Sequence, residues 1–303
     1  MTDLGRDTSS RSGRERNLLD TALRDYPELA GESVTVTSGQ FNDILIVGEI
    51  VFRFPRTEDA AASMSTEVTV LQQLQGRLPI AIPNPVFSRK SRDMSLPPFM
   101  GYRRIAGRPL DRRTLDELWA TDRLVVELLG AQLGAFLRVL HAIPADAFDE
   151  TVPLADDGTH WTRLLEAFRD ELFRYMRQDA REAVERDFLA FLSSPDSFGW
   201  QPVLMHGDFG GANVLYDDAL RRISGVIDFG GVALGDAAVD LAAITAFHSR
   251  LAQTMQPHYP ELFVPEMQRR ASFYRSTFAL QQALWALRAG DAEAFDDGIA
   301  AYV

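Results

Sequence analysis

Residues 203–231 read VLMHGDFGGANVLYDDALRRISGVIDFGG, from Val203 to Gly231. The apolar run Val203-Leu204-Met205 predicts a buried strand. His206 to Asn213 is a polar loop. Val214-Leu215-Tyr216 predicts a second strand and Asp217-Asp218 a turn. Ile223 to Ile227 predicts a third strand, which ends on Asp228-Phe229-Gly230. The returning hairpin brings Asp208, Asn213 and Asp228 to neighbouring strand ends. Asp, Asn and Gly are ordinary residues of strand ends, so neither loop alone carries much information. Both loops together, in this order and split by a short hairpin, bring two carboxylates and an amide together. A metal-dependent hydrolase on His206, Asp208 and Asp228 would need further imidazole ligands nearby. His141, His160, His248 and His258 lie in unrelated patterns.

Asp208 precedes Asn213 by five positions, and Asp228 opens a D-F-G. The pattern resembles the catalytic and metal loops of the protein-kinase-like superfamily, H-x-D-x-x-x-x-N followed by D-F-G. The H-G-D opening is similar to the small-molecule branch, the aminoglycoside phosphotransferase-like kinases. The resemblance implies that Asp208 orients a substrate hydroxyl and accepts its proton. It also implies that Asn213 and Asp228 hold Mg2+ against the phosphates of ATP or GTP.

Composition narrows the alternatives. The only lysine is Lys90, and every other Lys/Arg position is arginine. No G-x-x-x-x-G-K-[ST] loop exists here, which excludes a P-loop enzyme. The nucleotide-anchoring lysine of kinase-like folds is therefore absent or replaced by arginine. The chain has no cysteine, so neither a disulfide framework nor thiol chemistry is available. No apolar run reads as a membrane span, and the start, MTDLGRDTSSRSGRER, lacks an apolar core segment. These features lead us to expect a cytoplasmic protein with no membrane partner. The net charge of −12 disfavours nucleic acid and favours cationic partners. An acidic, solvated surface is equally ordinary.

Working outward, residues 1–15 read as a disordered tail, and Asn17 to Leu29 as a short amphipathic helix. Val34 to Val36, Ile44 to Val47 and Ile50 to Phe54 predict strands. Val51-Phe52-Arg53-Phe54-Pro55 alternates so that Phe52 and Phe54 share one face and Arg53 takes the other. This stretch resembles the aminoglycoside 2''-phosphotransferase branch. By that resemblance Arg53 is the phosphate-binding basic residue, with Arg56 as a substitute. Glu58 to Leu78 predicts a helix whose Glu67 resembles the glutamate that pairs with that basic residue. The resemblance also makes the loop at Ser38 and Gly39 a cover for the nucleotide phosphates. It has one glycine rather than three, so an ordinary hairpin reads equally well.

The resemblance makes 102–107 the hinge between lobes, with Arg103 and Ile105 as backbone contacts to the purine. From Thr121 the pattern turns helical, with an apolar stripe that ends at L-H-A-I-P around His141. In G-D-x-x-x-D-L, Gly235 to Leu241, the second Asp, Asp240, matches a family residue that braces the catalytic loop. Asp291, Glu293, Asp296 and Asp297 form an acidic patch. It either lines a cationic substrate site or is a solvated helical first turn.

The expected fold is α+β: a bilobal protein-kinase-like fold with a small antiparallel-sheet N-lobe carrying one main helix, and a larger, mostly helical C-lobe. The boundaries are 16–101 for the N-lobe and 108–303 for the C-lobe. The implied function is transfer of a γ-phosphoryl group to a small-molecule hydroxyl, with an aminoglycoside-type acceptor first. The stretch Leu241 to Gln253, where the 2''-phosphotransferases carry acids, has none. A macrolide or metabolic alcohol, or nucleotide binding without useful transfer, therefore stays open.

Overall fold

The computed structural model describes residues 5–39, 41–89, 97–148, 152–154 and 158–303. The chain opens with α1 (Gly5–Asp25), β1 (Val34–Ser38), β2 (Asn42–Val47), β3 (Ile50–Pro55) and α2 (Glu58–Leu74). Then come β4 (Phe87–Arg89), β5 (Phe99–Arg103), β6 (Arg108–Pro109), α3 (Arg112–Thr121), α4 (Arg123–His141), α5 (Thr159–Ala167) and α6 (Gln178–Ser193). The motif region supplies β7 (Val203–Met205), β8 (Val214–Asp217), β9 (Arg222–Val226) and β10 (Ala233–Gly235). Four helices complete the chain: α7 (Ala238–Phe247), α8 (Ser249–Met255), α9 (Pro265–Ala289) and α10 (Ala292–Ile299). The class is α+β. The chain divides into one unit of residues 1–109 with 213–232, and a second of 110–212 with 233–303. The hairpin that carries Asn213 and Asp228 thus groups with the N-terminal unit, whereas the sequence boundaries assigned it to 108–303. All of 102–107 also falls in the first unit.

In the first unit an antiparallel sheet runs in the order β1-β2-β3-β5-β4. Leu45 lies opposite Phe52, and Ile44 opposite Arg53. One sheet face carries Leu45, Val47, Phe52, Phe54 and Phe99, packed with Leu18 and Ala22 of α1. The alternation that places both phenylalanines there turns Arg53 to the opposite face, where Glu67 of α2 meets it. A second sheet, β6-β8-β9, is tied by an ion pair from Arg108 Nε to Asp218 Oδ2 at 2.7 Å.

α1 corrects the sequence expectation. It begins at Gly5, inside the segment expected to be disordered, and Met1 to Leu4 lie outside the described residues. Buried Leu18 and Ala22, with the ion pair of Arg14 to Asp43 of β2, fix its C-terminal half. Once a docked turn exists, each further residue adds a hydrogen bond at little cost, so the helix extends back through polar sequence. α2 is shorter than expected and stops at Leu74, and Gly76 follows with φ 74°.

In the second unit β7 and β10 form an antiparallel ladder with Leu204 opposite Leu234. The helical run expected from Thr121 is α4, which starts at Arg123; α3, which the sequence reading did not separate out, ends just before it, and Asp122 with φ −153° divides the two. α4 is the one described helix long and apolar enough to cross a membrane by length and composition, which the sequence reading did not anticipate. Its Val126, Leu129, Leu133, Phe136, Leu137 and Leu140 are buried, and Phe136 stacks on Phe209 at 5.8 Å. The apolar stripe is therefore a core face that supports the loop after β7. A further core joins α5, α6 and α9 through Leu165, Phe188, Leu280 and Leu284. α9 ends at Gly290, whose φ of 72° is a left-handed cap that glycine adopts without steric cost.

Candidate active site

The first unit holds a charged cluster on the sheet face away from α1. Arg53 Nη1 donates to Glu67 Oε1 at 2.6 Å, and Nη2 to Asp228 Oδ1 at 2.8 Å. Glu67 Oε1 also accepts the Phe229 amide at 3.1 Å. Arg53 is 6% exposed and Glu67 1%, so both charges are held by each other rather than by water. Burial works against the guanidinium charge, but Glu67 and Asp228 outweigh it and its pKa rises above the ordinary value. Burial pushes the Glu67 carboxyl up, against the pull of Arg53 and the Phe229 amide. Tyr102 is pushed up to about 12, chiefly by burial.

Asp228 differs from its partners in being open. Its side chain is 47% exposed, and its backbone lies in the left-handed region at φ 62°, ψ 69°. That conformation is rare for a residue with a side chain and costs on the order of 1–3 kcal/mol. Asn213 is buried, and its carbonyl accepts the Ile227 amide at 2.9 Å. Val214 also lies opposite Val226. The ladder therefore holds Asn213 beside the residue that precedes Asp228. An amide and a carboxylate are hard oxygen donors, the type Mg2+ takes when phosphates complete its shell. Among the described residues no group of three or more His, Cys, Asp or Glu could hold a metal ion.

The second unit holds Asp208, itself exposed, on the loop after β7 between buried His206 and Phe209. The loop is fixed from below by Asp240 of α7. Asp240 Oδ2 accepts the His206 amide at 2.8 Å, and Oδ1 accepts the Gly207 amide at 2.9 Å. His206 is fully buried, and its Nδ1 accepts the Asp208 amide at 3.2 Å. Asp240 is completely buried, which raises a carboxyl, but the hydrogen bond and charge of His141 hold it below the usual carboxylate range. Asp236 is braced separately. It accepts Arg270 Nε at 2.6 Å, Tyr274 Oη at 2.9 Å and the Ala238 amide at 3.1 Å.

The remaining sequence candidates fall elsewhere. The Ser38 hydroxyl donates to Asp43 at 3.0 Å, and the Gly39 amide donates to the Asn42 carbonyl at 2.8 Å. In this conformation the loop closes on itself, and Gln40 lies outside the described residues. Arg56 donates to the Gly39 carbonyl at 3.1 Å, so it serves that same loop. Arg103 is exposed at the end of β5, opposite Ile50, and Ile105 is half-buried. Asp291 is the N-cap of α10, accepting the Ala294 amide at 3.1 Å, and Glu293, Asp296 and Asp297 are exposed.

The acid-free stretch forms part of a cavity of about 490 Å3 in the second unit. Its lining includes Thr245, Ser249, Gln253, Gln256, Gln268 and Arg275, and no acid. Sequence reasoning missed this cavity, and it missed the link from His141 to Asp240. Only the position of His141 at a helix end was legible.

Residues 35–291 of the chain match the phosphotransferase enzyme family. Viomycin phosphotransferase of Streptomyces vinaceus is 33% identical over 280 residues, covering 90% of this chain and 95% of that protein. The GDP complex of wild-type aminoglycoside 2'-phosphotransferase-IIIa superposes with a TM-score of 0.85 at 24% identity, covering 94% of this chain and 96% of that one. The macrolide 2'-phosphotransferase MphH of Brachybacterium faecium, as apoenzyme, gives 0.69 at 22% identity, covering 94% and 97%. The structural likenesses carry the fold.

Proposed function

Because this chain belongs to the phosphotransferase enzyme family, we propose that it transfers the γ-phosphoryl group of ATP or GTP to a hydroxyl of an antibiotic-type small molecule. The observation that carries the proposal is the cluster of Arg53, Glu67 and Asp228, at the positions that the sequence pattern assigns to phosphate and metal binding. Asp208 orients the acceptor hydroxyl and takes its proton as the hydroxyl oxygen bonds to phosphorus and the nucleoside diphosphate leaves. Asn213 and Asp228 would hold Mg2+. When bound, the ion neutralises charge on the phosphates. Arg53 keeps guanidinium N–H donors beyond the two that bind Glu67 and Asp228, and these can meet phosphate oxygen. Such a reaction depends on positioning and electrostatics, with no covalent enzyme intermediate. We place the protein in the cytoplasm, where nucleoside triphosphate is supplied.

For the acceptor, a viomycin-type compound stands ahead of an aminoglycoside. The relative at 33% identity over 90% of this chain bears that name. The test is transfer from Mg-ATP and Mg-GTP to viomycin, aminoglycosides, macrolides and small alcohols, with product detected by mass. A phosphorylated antibiotic supports the proposal. Transfer only to a metabolic alcohol overturns the acceptor class, and no transfer to any compound overturns the function.

A further inference from the structure

Asp43 stands near the start of β2, and the proposed reaction does not use it. Burial alternates along β2, so Asp43 shares a row with Leu45 and Val47, which pack against α1 in the apolar core of the first unit. Asp43 is 3% exposed in that row. Aspartate is poorly suited to strands, and a buried carboxylate is costly unless it is paired. Both of its oxygens are engaged. Oδ1 accepts the Ser38 hydroxyl at 3.0 Å, and Oδ2 forms the ion pair with Arg14 of α1. Ser38 lies directly opposite Asp43, on the last rung of the β1–β2 ladder. Beyond that rung the chain forms the loop that returns through Gly39 and Phe41 to Asn42. Asn42 in turn lies opposite Pro55, two residues along β3 from Arg53.

We propose that Asp43 is a positioning residue for the donor nucleotide: by holding Ser38 at the last rung, it sets the loop of residues 38–42 that meets the phosphates. The inference rests on the nucleotide-dependent function proposed above, with Arg53 as its phosphate contact. The loop has few other ties. The Gly39 amide donates to the Asn42 carbonyl, and Arg56 donates to the Gly39 carbonyl. Ordering a free loop at the moment of binding costs affinity, and a loop already fixed at its base avoids part of that cost. A strand alone would be served at position 43 by an apolar residue, as it is at 45 and 47. The carboxylate serves the loop, and Arg14 supplies the counter-charge that lets it stay in an apolar row. In this way α1, packed on the far face of the sheet from Arg53, takes part in nucleotide binding.

The test compares D43L, D43N and S38A in the full chain, with calorimetric binding of Mg-ATP and Mg-GTP measured beside thermal melting. D43L continues the apolar row and cuts the tie to Ser38. An apolar residue in place of a buried ion pair is often neutral or stabilising, so the melting temperature should hold or rise. The nucleotide Kd should rise about tenfold, as for loss of one hydrogen bond to a charged group. D43N returns a carboxamide oxygen to the Ser38 hydroxyl and should recover most of the affinity. S38A should lose as much as D43L, and the double variant no more than either alone, because both cut one contact. A purely structural Asp43 gives the reverse pattern: a wild-type Kd in D43L, or losses that add in the double variant, overturns the proposal. Should D43L fail to fold, S38A carries the test, and a wild-type Kd there overturns it. Absence of nucleotide binding by the wild-type chain defeats the proposed function itself, and this inference with it.

Discussion

Arg53 and Asp228 are 175 residues apart in the chain and 2.8 Å apart in space, guanidinium Nη2 to carboxylate Oδ1. The same guanidinium holds Glu67 through Nη1. A lysine ammonium is a single point charge on a flexible stem and cannot repeat this planar fork. In R53K the charge survives and the bridge does not. We expect the nucleotide KM to rise about tenfold, on the strength of one lost charge-assisted contact. Steady-state kinetics over a range of ATP and GTP check it, and an unchanged KM would show that the fork is dispensable.

Glu67 is the counter-charge that allows Arg53 to stay buried. E67A leaves a guanidinium that is 6% exposed without its nearest partner. Breaking one side of a buried pair costs about 3–5 kcal/mol. Urea denaturation should register that loss, together with a raised nucleotide KM. Wild-type stability in E67A would mean that Asp228 and solvent suffice.

Asp208 should behave in the opposite way. It is exposed, so D208A should leave the melting temperature nearly unchanged. Product formation should fall by about 10²–10⁴-fold, the range for loss of a general base. Parallel measurement of melting temperature and kcat separates the two effects, and full activity in the variant would remove Asp208 from the mechanism.

Asp240 predicts an acid dependence. Its folded-state pKa is held below the ordinary value despite burial, chiefly by His141. The native state therefore binds fewer protons at this group than the unfolded chain does. The resulting stability is fully present above the unfolded pKa of about 4 and is lost as pH falls through the folded value. Glu67, pushed up by burial, contributes the reverse slope as pH rises toward its folded value. Denaturation of wild type and D240N between about pH 3 and 6 isolates the Asp240 part. The difference between them should shrink toward the acid end, and a constant difference would contradict the assignment.

Gly211 predicts a steric cost close to the catalytic loop. A Cβ there would meet the Phe247 ring and the Leu110 carbonyl. The backbone oxygen cannot turn aside, so G211A should destabilise by about 1–3 kcal/mol, as overpacking does. Thermal melting checks the loss, and a wild-type melting temperature would show that the loop relaxes.

The parts of this protein that were legible in the sequence are those with a local period. Alternation across β3 placed Phe52, Arg53 and Phe54 on their correct faces, and the order and spacing of Asp208, Asn213 and Asp228 made them candidates through the resemblance they carry. Asp236 and Asp240 could be read as a motif, but not the groups they hold. His141 lies 99 residues from Asp240, and no local pattern encodes that distance. The N-terminal extent of α1 was also hidden, because it follows from docking of Leu18 and Ala22 rather than from its own polar residues. The Ser38 loop read equally well as a phosphate cover or an ordinary hairpin, and composition could not show that its Gly39 amide closes on the Asn42 carbonyl.

The guanidinium at position 53 also decides how this protein can be seen by chemistry. Reagents that tag kinases by acylating a primary amine on the third strand need a neutral, nucleophilic nitrogen. Arg53 offers none, since a guanidinium stays protonated in ordinary buffers and its carboxylate partners only strengthen that. Lys90 is the single lysine ε-amine anywhere in the chain. A survey of nucleotide-using proteins built on amine capture would therefore pass over this enzyme while it was fully active. A probe that reports phosphoryl transfer itself would not.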